Sequence, residues 1–150
     1  MGGMTRNYQV GDEVTSLVKQ VTQEAINLFE SSAGGTGPSQ FTDEETAREI
    51  LGTSGTVASG RMSLTFALEM LRRAFGADVF NHSGSVDLRF LRPVRPGDTI
   101  TFSGRVSGIS REANGSKISV EIKAENQMGD TTGVGNGSAI IPNAYLPAEE

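Results

Sequence analysis

A chain of 150 residues with 36% hydrophobic content, seven Phe, two Tyr and no Trp can fill one core but not a large one, so a single domain over 1–150 is expected. Its formal charge of -5, from 13 basic and 18 acidic residues, argues against nucleic acid and anionic membranes, which need clustered Lys and Arg. With no Cys and one His, disulfides, a thiolate nucleophile, Cys-based metal sites and multi-His zinc motifs are excluded, and no metal or cofactor is expected.

The N-terminus lacks the charged, apolar and small-residue order of a secretory leader. No stretch approaches the roughly 20 apolar residues that cross a bilayer, so a cytoplasmic location is expected. There is no internal repeat, and the Gly-rich stretch from Ala33 to Gly37 is too short to separate domains.

In chain order, a short strand-like start ends at Val10-Gly11-Asp12. Ala25, Ile26, Leu28 and Phe29 then predict an amphipathic helix over Thr22 to Glu30. Thr42 stands three residues before Glu45, the spacing of a capping box, and predicts a second helix from Asp43 to about Leu51. From Arg61, Leu64, Ala67, Leu68, Leu71 and Phe75 recur at helical spacing, with Met62, Phe66 and Met70 also apolar. That helix should be central and buried, with Arg72 and Arg73 at the negative end of its dipole and Gly76 closing it.

The period then changes to two. Val86, Leu88 and Phe90 form one strand; Ile100, Phe102 and Val106 the next; Ile118, Val120, Ile122 and Ala124 a third; and Thr132 to Ile141 the last. Pro93, Pro96 and Gly97-Asp98 mark the turn between the first two, and Asn114-Gly115 reads as a type I′ hairpin with positive φ at both residues. Gly133, Gly135 and Gly137 leave one face of the last strand without side chains, which suits a subunit contact or the wall of a channel. A buried helix followed by a meander of antiparallel strands is an α+β hot-dog arrangement, with the sheet wrapped around the helix.

These residues carry a resemblance. Phe90-Leu91-Arg92-Pro93-Val94-Arg95-Pro96-Gly97-Asp98-Thr99 is similar to the strand-turn-strand of MaoC-like dehydratases and R-specific enoyl-CoA hydratases. Val10-Gly11-Asp12, Val57-Ala58-Ser59-Gly60 and Glu125-Asn126-Gln127 agree with that family in order and spacing. The resemblance implies a hydro-lyase acting on an acyl-CoA or acyl-carrier-protein thioester, working as a homodimer or higher homo-oligomer. In the family an Asp and a His after the first helix activate water. Here the corresponding stretch runs from Gly34 to Asp43; anchored on Pro38 it puts Gly35 and Gln40 at those positions, and anchored on Asp43 it puts Thr36 and Phe41 there. Neither alignment supplies the dyad, and an amide or hydroxyl orients water without taking its proton near neutral pH.

The expected machinery is therefore Gln40, Ser59, Gly60 and His82, with Gly35, Thr36, Ser39, Phe41 and Arg61 binding substrate. The amides at Ser59-Gly60 would polarise the thioester carbonyl, though Gly60 also suits a tight approach to the helix. His82 is a candidate acid or base, or an exposed polar residue before a strand. Arg61 would meet a substrate phosphate, or solvent. Ser39, Gln40 and Thr42 would hold a water, or bond the local backbone. Two further readings stand beside the hydratase: a non-catalytic thioester-binding subunit of a heteromer, and a hot-dog thioesterase using Asp43 or Glu44.

Overall fold

The computed structural model describes residues 7–34, 37–52 and 54–143. Within them the alternating segments become β1 (Glu13–Gln20), β2 (Ser85–Phe90), β3 (Thr99–Glu112), β4 (Gly115–Glu125) and β5 (Thr131–Pro142). The helical segments become α1 (Gln23–Ser32), α2 (Glu44–Leu51), α3 (Gly60–Phe75) and α4 (Ala77–Ser83). The strands form one sheet in the order β1-β3-β4-β5-β2, antiparallel throughout. This is the expected hot-dog fold: α3 touches β1, β2, β3 and β5 and so is wrapped from one edge of the sheet to the other.

The core forms where α3 meets the inner face. Met70 and Leu71 are fully buried against a sheet that contributes Phe102, Val106, Val120 and Ile122. The helix is cradled rather than enclosed, because Leu64, Phe66 and Leu68 on its other flank are only half-buried. Phe66 meets the edge of Phe102 at 6.1 Å, and Lys19 covers it while bonding Glu69 at 2.9 Å. The glycine face of β5 is the floor for α3: a Cβ at Gly137 would stand 2.6 Å from Leu71 Cδ1.

Four local expectations need correction. Val10 and Gly11 form a turn, with Gly11 at φ +94°, and β1 begins after it; a bulge between Val14 and Leu17 turns both inward three residues apart, which erases the period of two. Asp43 rather than Thr42 caps α2, its carboxylate accepting from the Thr46 amide at 2.9 Å. The hairpin from β3 to β4 turns on Ala113 and Asn114, with Glu112 paired to Gly115 and no non-glycine residue at positive φ among those described. Gly115 serves a close approach instead, since a Cβ there would collide with the Ile141 carbonyl. The fourth is the meander: β2 pairs with β5 and not with β3, so the proline turn leads a crossover rather than a hairpin. No expectation covered α4, a seven-residue helix that buries only Val79 and Phe80, too little to leave a period. Gly76, at φ +87°, turns the chain from α3 into it.

Candidate functional site

The start of α3 is held by three loops. Ser59 is its N-cap, its hydroxyl accepting from the Met62 amide at 3.3 Å. Arg95, in the proline turn, points its Nη1 at the carbonyls of Ser54, Gly55 and Thr56 at 3.2, 3.3 and 3.5 Å. The Val94 carbonyl accepts from Ala58 at 2.7 Å. Asp98 closes the turn on the Arg95 amide at 2.9 Å, and Gln127 bonds both Asp98 Oδ1 and the Thr99 amide, at 2.9 and 3.0 Å. The proline turn and Glu125-Asn126-Gln127 are thus one unit, and it fixes the approach to α3.

From the other side, Gln23 at the start of α1 accepts from the Thr56 hydroxyl and donates to the Phe41 carbonyl. The Gln40 carbonyl accepts from Val57 at 3.3 Å. Phe41 is thereby brought to a cavity of about 540 Å³. Ser59, Gly60, Arg61 and Leu64 from α3 line one side of it, and Val86, Asp87, Leu88 and Phe90 from β2 the other. Helix geometry leaves the first amides of α3 without intrahelical acceptors. Ser59 takes that of Met62, and Gly60 and Arg61, at the positive end of the helix dipole, are both lining residues. Gly60 also admits the Phe90 ring, because a Cβ there would lie 2.6 Å from Phe90 Cε2. Leu88 and Phe90 close off a second, inner space of about 10 Å³, roughly one water, that reaches Ser63, Phe102, Ala124, Thr132 and Gly133.

Behind the cavity lies Glu30, the only acidic or basic side chain buried among the described residues, at 5% exposure. Its Oε2 accepts from the Ser59 hydroxyl at 2.9 Å and its Oε1 from Arg61 Nη2 at 3.0 Å. Burial of such a group is tolerated because both oxygens are bonded. Arg61 is otherwise open to solvent, with 59% of its side chain exposed.

Four of the candidates, Phe41, Ser59, Gly60 and Arg61, therefore meet at one cavity. The Ser39 and Thr42 hydroxyls bond each other, Ser39 Oγ accepts from the Phe41 amide and Thr42 Oγ1 from the Ser39 amide, which is the local-backbone reading. Gln40 offers its backbone carbonyl and is not among the lining residues. His82 is exposed in the last turn of α4, away from the lining. Gly35 and Thr36 lie outside the described residues. Glu30 was missed although a signal existed: it follows Ile26 by four, which places a charge on the same buried helix face. Leu64 and Leu88 enter the sequence reading only through the helix and strand periods, and Phe90 as a strand residue and the start of the family-like motif.

Asp43 is held below the ordinary carboxylate range by the Thr46 hydroxyl, at 2.6 Å, and then by the Thr46 amide, a state suited to capping rather than to accepting protons. A larger depression, of about 990 Å³, lies on the outer face of the sheet. It follows the row Glu13, Arg105, Glu121, Asn136 and Asp87 across all five strands. It is open and mixed in sign, without the apolar depth a small molecule needs.

Residues 7–128 match the family model described as MaoC like domain. No curated protein matches by sequence. Solved structures do. A monoamine oxidase regulatory protein from Archaeoglobus fulgidus is 26% identical, with 93% of each chain covered and a TM-score of 0.77. The unliganded R-hydratase from Pseudomonas aeruginosa is 18% identical over 95% of this chain and 92% of its own, with a TM-score of 0.72. A chain of the ChsH1-ChsH2 complex from Mycobacterium tuberculosis is 17% identical over 89% and 98%, with a TM-score of 0.73.

Proposed function

The chain belongs to the MaoC-like domain family, and on that premise we propose that it binds an acyl thioester at the start of α3 and catalyses reversible hydration of a 2-enoyl thioester. The observation that carries this reading is the meeting, in one cavity, of helix-start amides with an apolar slot formed by Leu64, Val86, Leu88 and Phe90. When water adds to the β-carbon, negative charge moves to the thioester oxygen. The amides of Gly60 and Arg61 offer preorganised donors for that charge. The apolar slot suits the acyl chain, and the exposed Arg61 suits a phosphate of coenzyme A or of a carrier's phosphopantetheine.

The site is completed, on this reading, by a second copy of the chain. β2 is a sheet edge paired only with β5, and Phe90 and Leu91 beside the cavity are about half exposed, at 49% and 51%. A homodimer would cover that edge and enclose the substrate. Among the described residues no helix is long and apolar enough to cross a membrane; a cytoplasmic location is part of the proposal.

The test is hydration of crotonyl-CoA and trans-2-octenoyl-CoA by the purified chain, followed by loss of the enoyl absorbance; absence of turnover ends the catalytic proposal, and absence of binding as well ends thioester binding. A second reading, a non-catalytic subunit of a heteromer, draws support from the stretch Gly34–Asp43, in which neither alignment with the family supplies the Asp/His pair, and from the likeness to a chain of a two-component complex. Turnover that emerges only on mixing with a partner chain favours it, and full activity of the chain alone excludes it. Thioester hydrolysis through Asp43 has less support, because that carboxylate is engaged as the cap of α2.

A further inference from the structure

We propose that Glu30 is the proton acceptor of this site, acting through the hydroxyl of Ser59; the inference rests on the hydratase reading above. Three observations meet here. Glu30 is the one ionised-type side chain taken into the interior, at 5% exposure, among the described residues. Its two oxygens bond two different residues, Ser59 and Arg61, at 2.9 and 3.0 Å. Both of those residues line the cavity. Joining α1 to α3 does not need a charge: a well-packed apolar contact does it without the desolvation cost of a buried ion.

The Ser59 hydroxyl is oriented by its two neighbours. Its proton goes to Glu30 Oε2, and one lone pair takes the Met62 amide. A serine oxygen has a second lone pair, which is left to accept from a water in the cavity. Hydration then balances without another reactant. As the water oxygen bonds the β-carbon, its proton passes to Ser59 Oγ while the proton of Ser59 passes to Glu30. The π pair of the double bond moves toward the carbonyl, giving an enolate held by the helix-start amides. The proton on Glu30 returns through Ser59 to the α-carbon, which restores the carboxylate and leaves the 3-hydroxyacyl thioester. Ser59 is the catalytic residue in this scheme. Glu30 positions it and holds the proton, and Arg61 fixes the carboxylate from its other oxygen.

The experiment uses the full chain with crotonyl-CoA, following thermal unfolding, calorimetric binding and steady-state kinetics for the parent, Glu30→Gln, Glu30→Asp, Ser59→Ala and the double variant of Glu30→Gln with Ser59→Ala. Glu30→Gln keeps an acceptor for Ser59 and removes the basicity. We expect KM within about threefold of the parent and kcat lower by about 10²–10⁴-fold, the usual effect of losing a general base. Glu30→Asp should recover part of the rate, and the double variant should be no slower than the slower single one, because the two residues act as one unit. If Glu30→Gln fails to fold, Ser59→Ala carries the test. Parent-like kcat in whichever of these two variants folds overturns the relay and leaves the hydratase reading standing. A parent that binds crotonyl-CoA without turnover overturns the relay but not thioester binding, and one that does neither overturns both.

Discussion

Two glycines on the same face of β5 should respond in opposite ways to the same substitution. At Gly137 a methyl would stand 2.6 Å from Leu71 Cδ1, 3.1 Å from Leu71 Cδ2 and 3.3 Å from Ile122 Cδ1. Carbon atoms rest at roughly 3.5–4.0 Å, so Leu71 must move by about 1 Å. It is fully buried in the cluster under α3 and has nowhere to go without shifting the helix. Overpacking of this kind costs about 1–3 kcal/mol, and alanine recovers about 0.5–1 kcal/mol of backbone entropy over glycine in a strand. Gly137→Ala should therefore lower stability by about 1 kcal/mol. At Gly133 the nearest atoms to the same methyl are Arg89 O at 3.5 Å and Phe90 Cδ1 at 3.9 Å. Only the entropy gain remains, and Gly133→Ala should raise stability by about 0.5 kcal/mol. Urea unfolding at unchanged m-value separates the two variants. A cycle with Leu71→Ala checks the cause: the single change costs about 2–5 kcal/mol, and in its presence Gly137→Ala should turn from destabilising to stabilising. Equal midpoints for the two glycine variants, or additive behaviour with Leu71→Ala, would refute the reasoning.

Arg95→Ala removes the guanidinium that gathers the carbonyls of Ser54, Gly55 and Thr56. Charged hydrogen bonds of this kind contribute about 2 kcal/mol together, and thermal melting should fall by about 4–8 °C, with KM for enoyl-CoA rising more than kcat falls because the helix-start amides lose their setting. The Asp43 cap gives a pH signature. Its folded pKa is lowered by the Thr46 hydroxyl and amide, so its contribution is fully present above the unfolded pKa and lost as pH falls through the lower folded one. Asp43→Asn keeps a capping acceptor without that titration, so the melting-temperature gap between parent and variant should shrink on acidification; a gap constant with pH would count against the cap. Tyr8→Phe deletes a hydroxyl that donates to the Ala74 carbonyl at 2.6 Å while leaving the ring against Phe75, and should cost about 1 kcal/mol in urea unfolding.

The long elements were legible because burial and period coincide in them. β3 and β4 alternate strictly where they lie on the core, as Ile100, Phe102 and Val106, and Ile118, Val120, Ile122 and Ala124, show. α3 carries its buried residues at helical spacing over 16 residues. Where a local device breaks the period, the pattern fails: the bulge in β1 and the two buried residues of α4 leave nothing to count. The Asn114-Gly115 pair illustrates a different limit. A turn dipeptide reports backbone permissiveness, and the glycine here answers to crowding by Ile141 rather than to φ. No local signal distinguishes those two reasons for the same residue.

The site divides along the same line. Ser59, Gly60 and Arg61 could be named because they stand at a helix start, which is a local feature, and Phe41 only through the family-like stretch from Gly34 to Asp43. Glu30 was not, because what its charge does depends on residues 29 and 31 positions away in sequence. At Glu30 the helix period alone predicts burial, and the residue type alone predicts exposure. That conflict between position and chemistry is what motivates the proposal for Glu30. A charge on the apolar face of an amphipathic helix is legible in the sequence at Glu30, whereas the partners that make its burial tolerable emerge only when α1 and α3 are folded together.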